Sequence, residues 1–377
     1  MNLLIIYPFY SQKRLMRIFS SKLGEHGISA DVICVNDYDY NKVTNLRWPK
    51  LLQILFKSVN RLKEGLMKKV ARKVIDRFFL GRIFSMYDIV DFHAYYPTYH
   101  HLMRVCMKKD IKFDITVWGS DLLRADDERK NILRFGFNHC YRIKLTHNLH
   151  EVMLSSYGND YEDKSRIVYF GNSNFPIIDS LTDAETNEIK HRLYGNTEGK
   201  RIVVCGYNRI PAQNHIKMIE ALSLLNDDEK RSIHVVLPMT YGSNSKYLST
   251  IRNAIEQSGL SYTILDNYLD LDAIATVRKT ADIVINVQTS DAIAGSLQDH
   301  LYCGNVCIFG EWLNYRIYQD NQIYYIKTKM EDITAHLKDV LLHFSEYHEL
   351  CKNNHDKLKA LLSWEATIAN QVVVYDE

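Results

Sequence analysis

Long apolar runs are missing from this 377-residue chain. No stretch approaches the roughly 20 apolar residues that a membrane-spanning helix needs. The opening MNLLIIYP lacks the basic lead-in of a secretory signal and reads as a first strand. Cysteine is scarce and scattered, at 34, 106, 140, 205, 303, 307 and 351. An odd number without regular spacing excludes a disulfide framework and points to a reducing compartment. Cys303 and Cys307 are close, but no second Cys or His pair completes a zinc site, and no metal is expected. No repeat of solenoid period occurs either. These absences predict a cytoplasmic protein with buried thiols.

What is present suits a globular protein, with 46% hydrophobic and 24% charged residues. The length exceeds one ordinary core and predicts two domains. Short apolar strands alternate with helical runs, the pattern of parallel sheets and βαβ units. Strands are expected at Leu3–Tyr7, Asp31–Val35, within 87–97 with its end at His93, and at 112–121, 141–148 and 165–172. A polar stretch near Ser173–Gly199 carries one expected helix, and the pattern restarts at 201–207, 234–239, 262–267, 282–288 and 306–310. Helices are expected at Ile216–Leu225 and Tyr247–Gln257. The predicted fold is α/β with two Rossmann-like domains, 1–172 and 173–350. Residues 351–377 are expected to form a terminal helix crossing back to the first domain.

Residues 47–82 break this rhythm. They hold eleven Lys or Arg against Glu64 and Asp76, which leaves the rest of the chain net acidic. Leu55, Val59, Leu62, Leu66, Val70, Val74 and Phe78 recur at helical spacing on one face. Such a helix either packs its stripe on the core or lies on an anionic membrane surface.

The stretch QTSDAIAGSLQDHLYCGN, residues 288–305, carries the sharpest functional signal. It follows a strand, passes Asp291 and a small-residue turn, then enters a helix at Gly295, Ser296 and Leu297. Ligands of open α/β sheets gather at the carboxyl ends of strands, where helix N-termini offer unpaired amides to phosphate. Asp299, one turn into the helix, is placed to accept from ribose hydroxyls, and Asp291 to face a sugar. In outline this is a nucleotide-sugar site.

The spacing Asp291-x7-Asp299, followed by Gly304 and VCIFG, resembles the Glu-x7-Glu region of family 4 glycosyltransferases of the GT-B fold. Both acids are one methylene shorter here. YDIVDFHAYYP and ITVWGSDLLR are similar to strand ends of bacterial polysaccharide glycosyltransferases, and SWEATIANQVVVY resembles their terminal helix. Gly206, His215, Ile216 and VVLPMTYG are also similar to 4-acetamido-4,6-dideoxygalactose transferases. The resemblance implies two domains facing across a cleft and a nucleotide-sugar donor. It also implies a lipid-linked or oligosaccharide acceptor, an inner-membrane-face location and no cofactor.

Glycosyl transfer needs positive groups aimed at the leaving diphosphate. Family 4 enzymes place an Arg and a Lys after the first strand of the second domain. Here Arg209 is shifted by two and the Lys is missing, so Arg209 is the candidate clamp with His215 as a second donor. Asp121 is the first-domain candidate for orienting or deprotonating an acceptor hydroxyl. Its bland alternative is the N-cap of the next helix. Trp118, standing where the family has a His, and His93 are candidates for lining the cleft. A metal-dependent GT-A transferase using Asp37-x-Asp39, a nucleotide-sugar epimerase and a non-catalytic scaffold are the rival readings. Asp270-x-Asp272 reads as a helix cap. The chain lacks a recognised nucleic-acid module, and no nucleic-acid partner is expected.

Overall fold

The computed structural model describes residues 1–8, 12–34, 58–59, 65–67, 70, 79–94, 96–97, 99–242 and 245–377. Most of the basic stretch 47–82, and both Asp37 and Asp39, lie outside these residues. Three positions of the predicted stripe are described: Val59 is half-buried, and Leu66 and Val70 are exposed.

The chain divides into two compact units, one of residues 1–170 with 367–377 and one of residues 171–366. The first is built on β1 (Asn2–Tyr7), β2 (Ser29–Cys34), β3 (Ile89–His93), β4 (Phe113–Thr116), β5 (Arg142–Leu145) and β6 (Ser165–Ile167). Among the described residues its parallel sheet runs β2-β1-β3-β4-β5-β6. The second unit holds β7 (Arg201–Cys205), β8 (Ile233–Pro238), β9 (Tyr262–Leu265), β10 (Ile283–Asn286), β11 (Val306–Gly310) and β12 (Ile326–Thr328). Its parallel sheet runs β12-β11-β10-β7-β8-β9. The predicted α/β class holds, and β12 is a strand that the sequence pattern did not reveal.

Strands buried on both faces read as continuous apolar runs, and the second core shows why. On one face Val203, Val235, Ile283 and Ile308 pack with Met218 and Leu222 of the helix His215–Ser223 and with Ile333 and Leu337 of the helix Ile333–Leu342, and on the other face the alternate residues Val204, Val236, Val284 and Cys307 are buried as well. The linker region carries two helices rather than one, Phe175–Ser180 and Asp183–Tyr194. Thr182 separates them with a capping box to Glu185, which ends one helix and starts the next. Residues 351–377 are likewise not a single helix. Asn354–Leu362 and Trp364–Asp376 are divided by Ser363 in extended conformation. Trp364 packs directly on Gly171, where a Cβ would collide with its ring and backbone. The indole N–H donates to Ser173 Oγ at 3.0 Å.

Charged side chains cross the middle of the first sheet. Asp91, Asp114 and Arg142 stand abreast on β3, β4 and β5, and His93, Thr116 and Lys144 form the next row on the same face. Lys144 pairs with Asp91, Arg142 grips Asp114 at 3.0–3.3 Å, and Thr116 donates to Asp91 at 2.9 Å. The helix Trp364–Asp376 completes the network, with the Tyr375 hydroxyl on Asp91 and the Val374 carbonyl accepting from Arg142.

Candidate active site

In the second sheet β7 is laid down first, β8 and β9 extend it on one side, and β10 onward extends it on the other. The loops after β7 and β10 therefore diverge, and the carboxyl edge between them is the topological switch point where ligands bind. Gly206 opens the first loop at φ +66°, and a Cβ there would stand 2.7 Å from His215 Nε2. Only glycine fits both the backbone and the space. Gln213 ties the loop down, accepting from the Tyr207 amide at 3.1 Å and donating to Gln288 at 2.7 Å.

Arg209 leaves this loop half-buried. Its guanidinium donates through Nε and one terminal nitrogen to the Gly242 carbonyl, at 2.8 and 2.5 Å. No carboxylate among the described residues pairs with it, so its position is fixed while its charge is not neutralised. His215 does not reach the site as a second charged donor. It is fully buried behind Gly206, bonded through Nδ1 to Tyr247 at 3.2 Å, and burial lowers its pKa to about 3. Its role is to shape the turn.

Asp291 lies five residues beyond the end of β10, on the loop rather than the strand. Its carboxylate accepts from Tyr315 at 2.9 Å and from the Ala294 amide at 2.9 Å. Burial raises its pKa, while these two donors oppose the shift. Ile293, inside the same turn, is held at φ +70°. A β-branched residue in that region is a true outlier, stored where surrounding structure enforces it. The turn delivers the helix Gly295–Tyr302, as the sequence predicts. Gly295 has open space above it, Ser296 Oγ is enclosed without a partner, and Leu297 is packed inward.

Asp299 departs from its predicted ribose-binding role. It is 1% exposed, and its two oxygens accept from Asn172 and Asn174, both at 2.8 Å. Arg278 adds a buried ion pair at 3.6 Å. Burial raises the carboxyl pKa against these partners. With the shorter aspartate side chain spent on the linker asparagines, Asp299 anchors the helix instead of reaching a ligand. Asn172 also touches Gln298 at 3.1 Å, so the linker is bonded to the first turns of that helix.

The first-unit candidates separate as well. His93 is 0% exposed, with Nε2 bonded to Asp91 at 2.9 Å, so it belongs to the charged network and lines no open surface. Asp121 is not the N-cap, which is Gly119 at φ 128°. It sits inside the helix Ser120–Leu123 and turns back to accept from the amides of Trp118 and Gly119, at 3.1 and 2.7 Å. Those bonds hold the strand exit in shape. Trp118 is half-buried against Phe170, with ring centroids 5.4 Å apart. Asp270 does cap its helix, accepting from Ala273 at 2.8 Å. The cysteines are all free, six of them buried and Cys303 half-buried.

Tyr207, Gln213, Gln288 and Tyr315 are the site residues that sequence reasoning missed. Tyr207, Gln288 and Tyr315 lie within a few residues of a strand's carboxyl end, which was the one available signal, whereas Gln213 lies further along the loop after β7.

No protein-family model matches the chain, and no curated protein matches it. Solved structures do. A glycosyltransferase from Rickettsia africae superposes with a TM-score of 0.72 at 14% identity, covering 100% of this chain and 97% of its own. Anabaena HepE in complex with UDP-glucose gives 0.72 at 9% identity, covering 100% and 99%. Sucrose-phosphate synthase from Thermosynechococcus elongatus gives 0.70 at 13%, covering 100% and 98%. This chain has the GT-B fold. Within that fold the edge carrying Gly206, Arg209, Asp291 and Gly295 belongs to the second of the two Rossmann-like units.

Proposed function

We propose that the protein is a glycosyltransferase that moves a hexosyl group from a nucleotide sugar to a glycan acceptor. The observation that carries this reading is the carboxyl edge at the β7–β10 switch point. Arg209, without a carboxylate partner among the described residues, stands on one loop, and an open helix start with an unpaired Ser296 hydroxyl follows the other. Helix amides and a fixed guanidinium suit a diphosphate whose charge grows as the glycosidic bond breaks. Asp291, held by Tyr315 and Ala294, is the carboxylate left to meet the sugar. That solved relatives in fold were captured with UDP and UDP-glucose supports the donor class.

The finer reading is a polyprenyl-linked acceptor in surface-polysaccharide synthesis, reached from the cytoplasmic membrane face through residues 47–82, with no metal required. It rests on the sequence resemblance and the basic stretch. No helix among the described residues is long and apolar enough to cross a membrane. The test is incubation with a panel of nucleotide sugars, scored by thermal shift and by nucleoside diphosphate release, with and without EDTA. Binding of one donor with EDTA-insensitive turnover is expected. Binding without turnover would leave a scaffold, interconversion of the donor itself an epimerase, and turnover restored only by Mg²⁺ or Mn²⁺ a metal-dependent transferase. Co-sedimentation with anionic but not neutral liposomes, weakened by salt, is the expected result for the basic stretch.

A further inference from the structure

The helix Gly295–Tyr302 starts at the carboxyl edge of the second sheet and ends at its amino edge, in the corner Tyr302-Cys303-Gly304. Gly304 stands two residues before β11, and Lys279 stands four before β10. Beside them the second unit opens a cavity of about 430 Å³, a size that suits a small molecule. Every residue that lines it belongs to that unit.

Ile178 and Tyr302 give the cavity an apolar wall. The Tyr302 ring is stacked on Phe175 and packed against His355, with centroids 3.8 and 4.1 Å apart. Its hydroxyl donates to Asp179, 3.0 and 2.9 Å from the two oxygens, and Lys359 pairs with the same carboxylate at 3.2 Å. Asp179 is the one carboxylate among the described residues lining the cavity, and these partners occupy it.

Against it stand four basic side chains, Lys279, Lys352, His348 and His355. Lys279 is half-buried and donates to the Leu181 carbonyl at 2.6 Å, closing the end of the helix Phe175–Ser180. That bond uses one of its three N–H donors. No carboxylate among the described residues pairs with it. Lys352 meets Glu349 at 3.1 Å in an exposed pair, too weak to hold it away from a ligand. His355 donates through Nδ1 to the Tyr302 carbonyl at 3.2 Å, which leaves Nε2 for other partners. Burial pushes the Cys303 thiol up, so it stays protonated and adds no charge. No three His, Cys, Asp or Glu among the described residues are arranged to hold a metal ion.

We propose that this cavity binds a small organic phosphate, its phosphate held by Lys279 and Lys352 and its carbon skeleton laid on Ile178 and Tyr302. Lysine binds phosphate as a point charge, and two ammonium groups suit a dianion. Planar carboxylates are better matched by the arginine fork, which the lining lacks. A cationic ligand would be repelled by the same two lysines. The site lies at the edge opposite Arg209 and Asp291, one eight-residue helix or about 12 Å away. A phosphate here and a nucleotide there can therefore be bound together, and this binding does not rest on the transferase reading.

The test is isothermal titration calorimetry on the intact protein with ribose 5-phosphate and glycerol 3-phosphate, set against ribose, glycerol and succinate. At least one ester should bind, its uncharged counterpart should not, and succinate should bind tenfold more weakly or less. Lys279→Met should weaken the ester tenfold or more. Lys352→Glu reverses a charge on an exposed residue and should weaken the ester at least as much, with melting temperature unchanged. It carries the test if Lys279→Met does not fold. Saturating UDP should leave the affinity for the ester as it was. The proposal is overturned if neither ester binds, if both variants bind as tightly as the parent, or if ribose, glycerol or succinate binds equally well. Displacement of the ester by UDP would also overturn it, by placing the ester at the donor edge. A protein that binds the ester, loses it on Lys352→Glu and never binds UDP would sink the transferase reading and leave this site standing.

Discussion

In the first sheet Asp91, Asp114 and Arg142 stand abreast across three central strands, while in the second Ile283, Val203 and Val235 occupy such a row. The winding differs too. Numbered from its own first strand, the first sheet runs 2-1-3-4-5-6 among the described residues and the second 3-2-1-4-5-6. Both orders reverse direction beside the first strand, so both present a switch point at the carboxyl edge. The lesson concerns where a carboxylate sits along the strand. Asp91 and Asp114, in strand interiors, are consumed by Lys144, Arg142 and Tyr375 and hold the unit together. Asp291, past a strand end, is held by a hydroxyl and an amide rather than by a cation.

The comparison can be broken most forcefully at Lys144. Removing one partner of a buried ion pair leaves the other charge uncompensated and costs about 3–5 kcal/mol. Lys144→Met should therefore destabilise the first unit by that order in urea unfolding. Pairing it with Asp91→Leu should recover much of the loss. A Lys144→Met protein with parental stability would mean that the charged row is not structural.

Gly206→Ala is the corresponding lesion at the second edge. The left-handed backbone costs a side chain about 1–2 kcal/mol, and the new methyl group also meets His215 Nε2. UDP binding by calorimetry should fall more than the melting temperature suggests, because the turn that carries Arg209 must shift. Intact UDP affinity would separate that loop from the donor.

The mildest and sharpest test uses pH. Burial favours the neutral form of Asp91, but His93 and Lys144 outweigh it and hold the carboxyl well below the usual range. Its contribution to stability is present above the ordinary carboxylate pKa and is lost as pH falls below it. Asp291 behaves oppositely. Its folded pKa is raised, so its contribution is full in acid and is lost as pH rises from the ordinary value through the raised one. The difference in stability between parent and Asp91→Asn should shrink in acid. Asp291→Asn should match or exceed the parent by about 1 kcal/mol near neutrality while losing tenfold or more in turnover. Parallel pH profiles for the two pairs would erase the distinction.

Much of this architecture was legible because apolar strands and their spacing report a buried parallel sheet directly. The corner at 288–305 was found for the same reason, since a strand, a small-residue turn and a helix start are local features. Asp299 was misread because its partners, Asn172 and Asn174, lie over 120 residues away in the chain. The charged row of the first sheet was invisible for a related reason. Asp91 and Lys144 look like surface residues until strand register sets them against each other. β12 escaped notice because Ile326–Thr328 is three residues long and carries a lysine. Local chemistry could be read from the sequence, but pairing across the fold could not.

The first unit is discontinuous, and this bears on the order in which the protein can be made. Tyr375 follows Lys144 by 231 residues and Asp91 by 284. On the ribosome, residues 1–170 emerge before any of 171–366, yet their buried charges lack the covering helix until both have been synthesised. The second unit is contiguous and can close while the first still waits. Loop-closure entropy makes such distant contacts slow to form, and the contacts of residues 367–377 with Asp91, Lys144 and Arg142 can form only after residues 171–366 have been made. A nascent chain stalled before that point would carry a finished second unit and an open, water-exposed charged sheet.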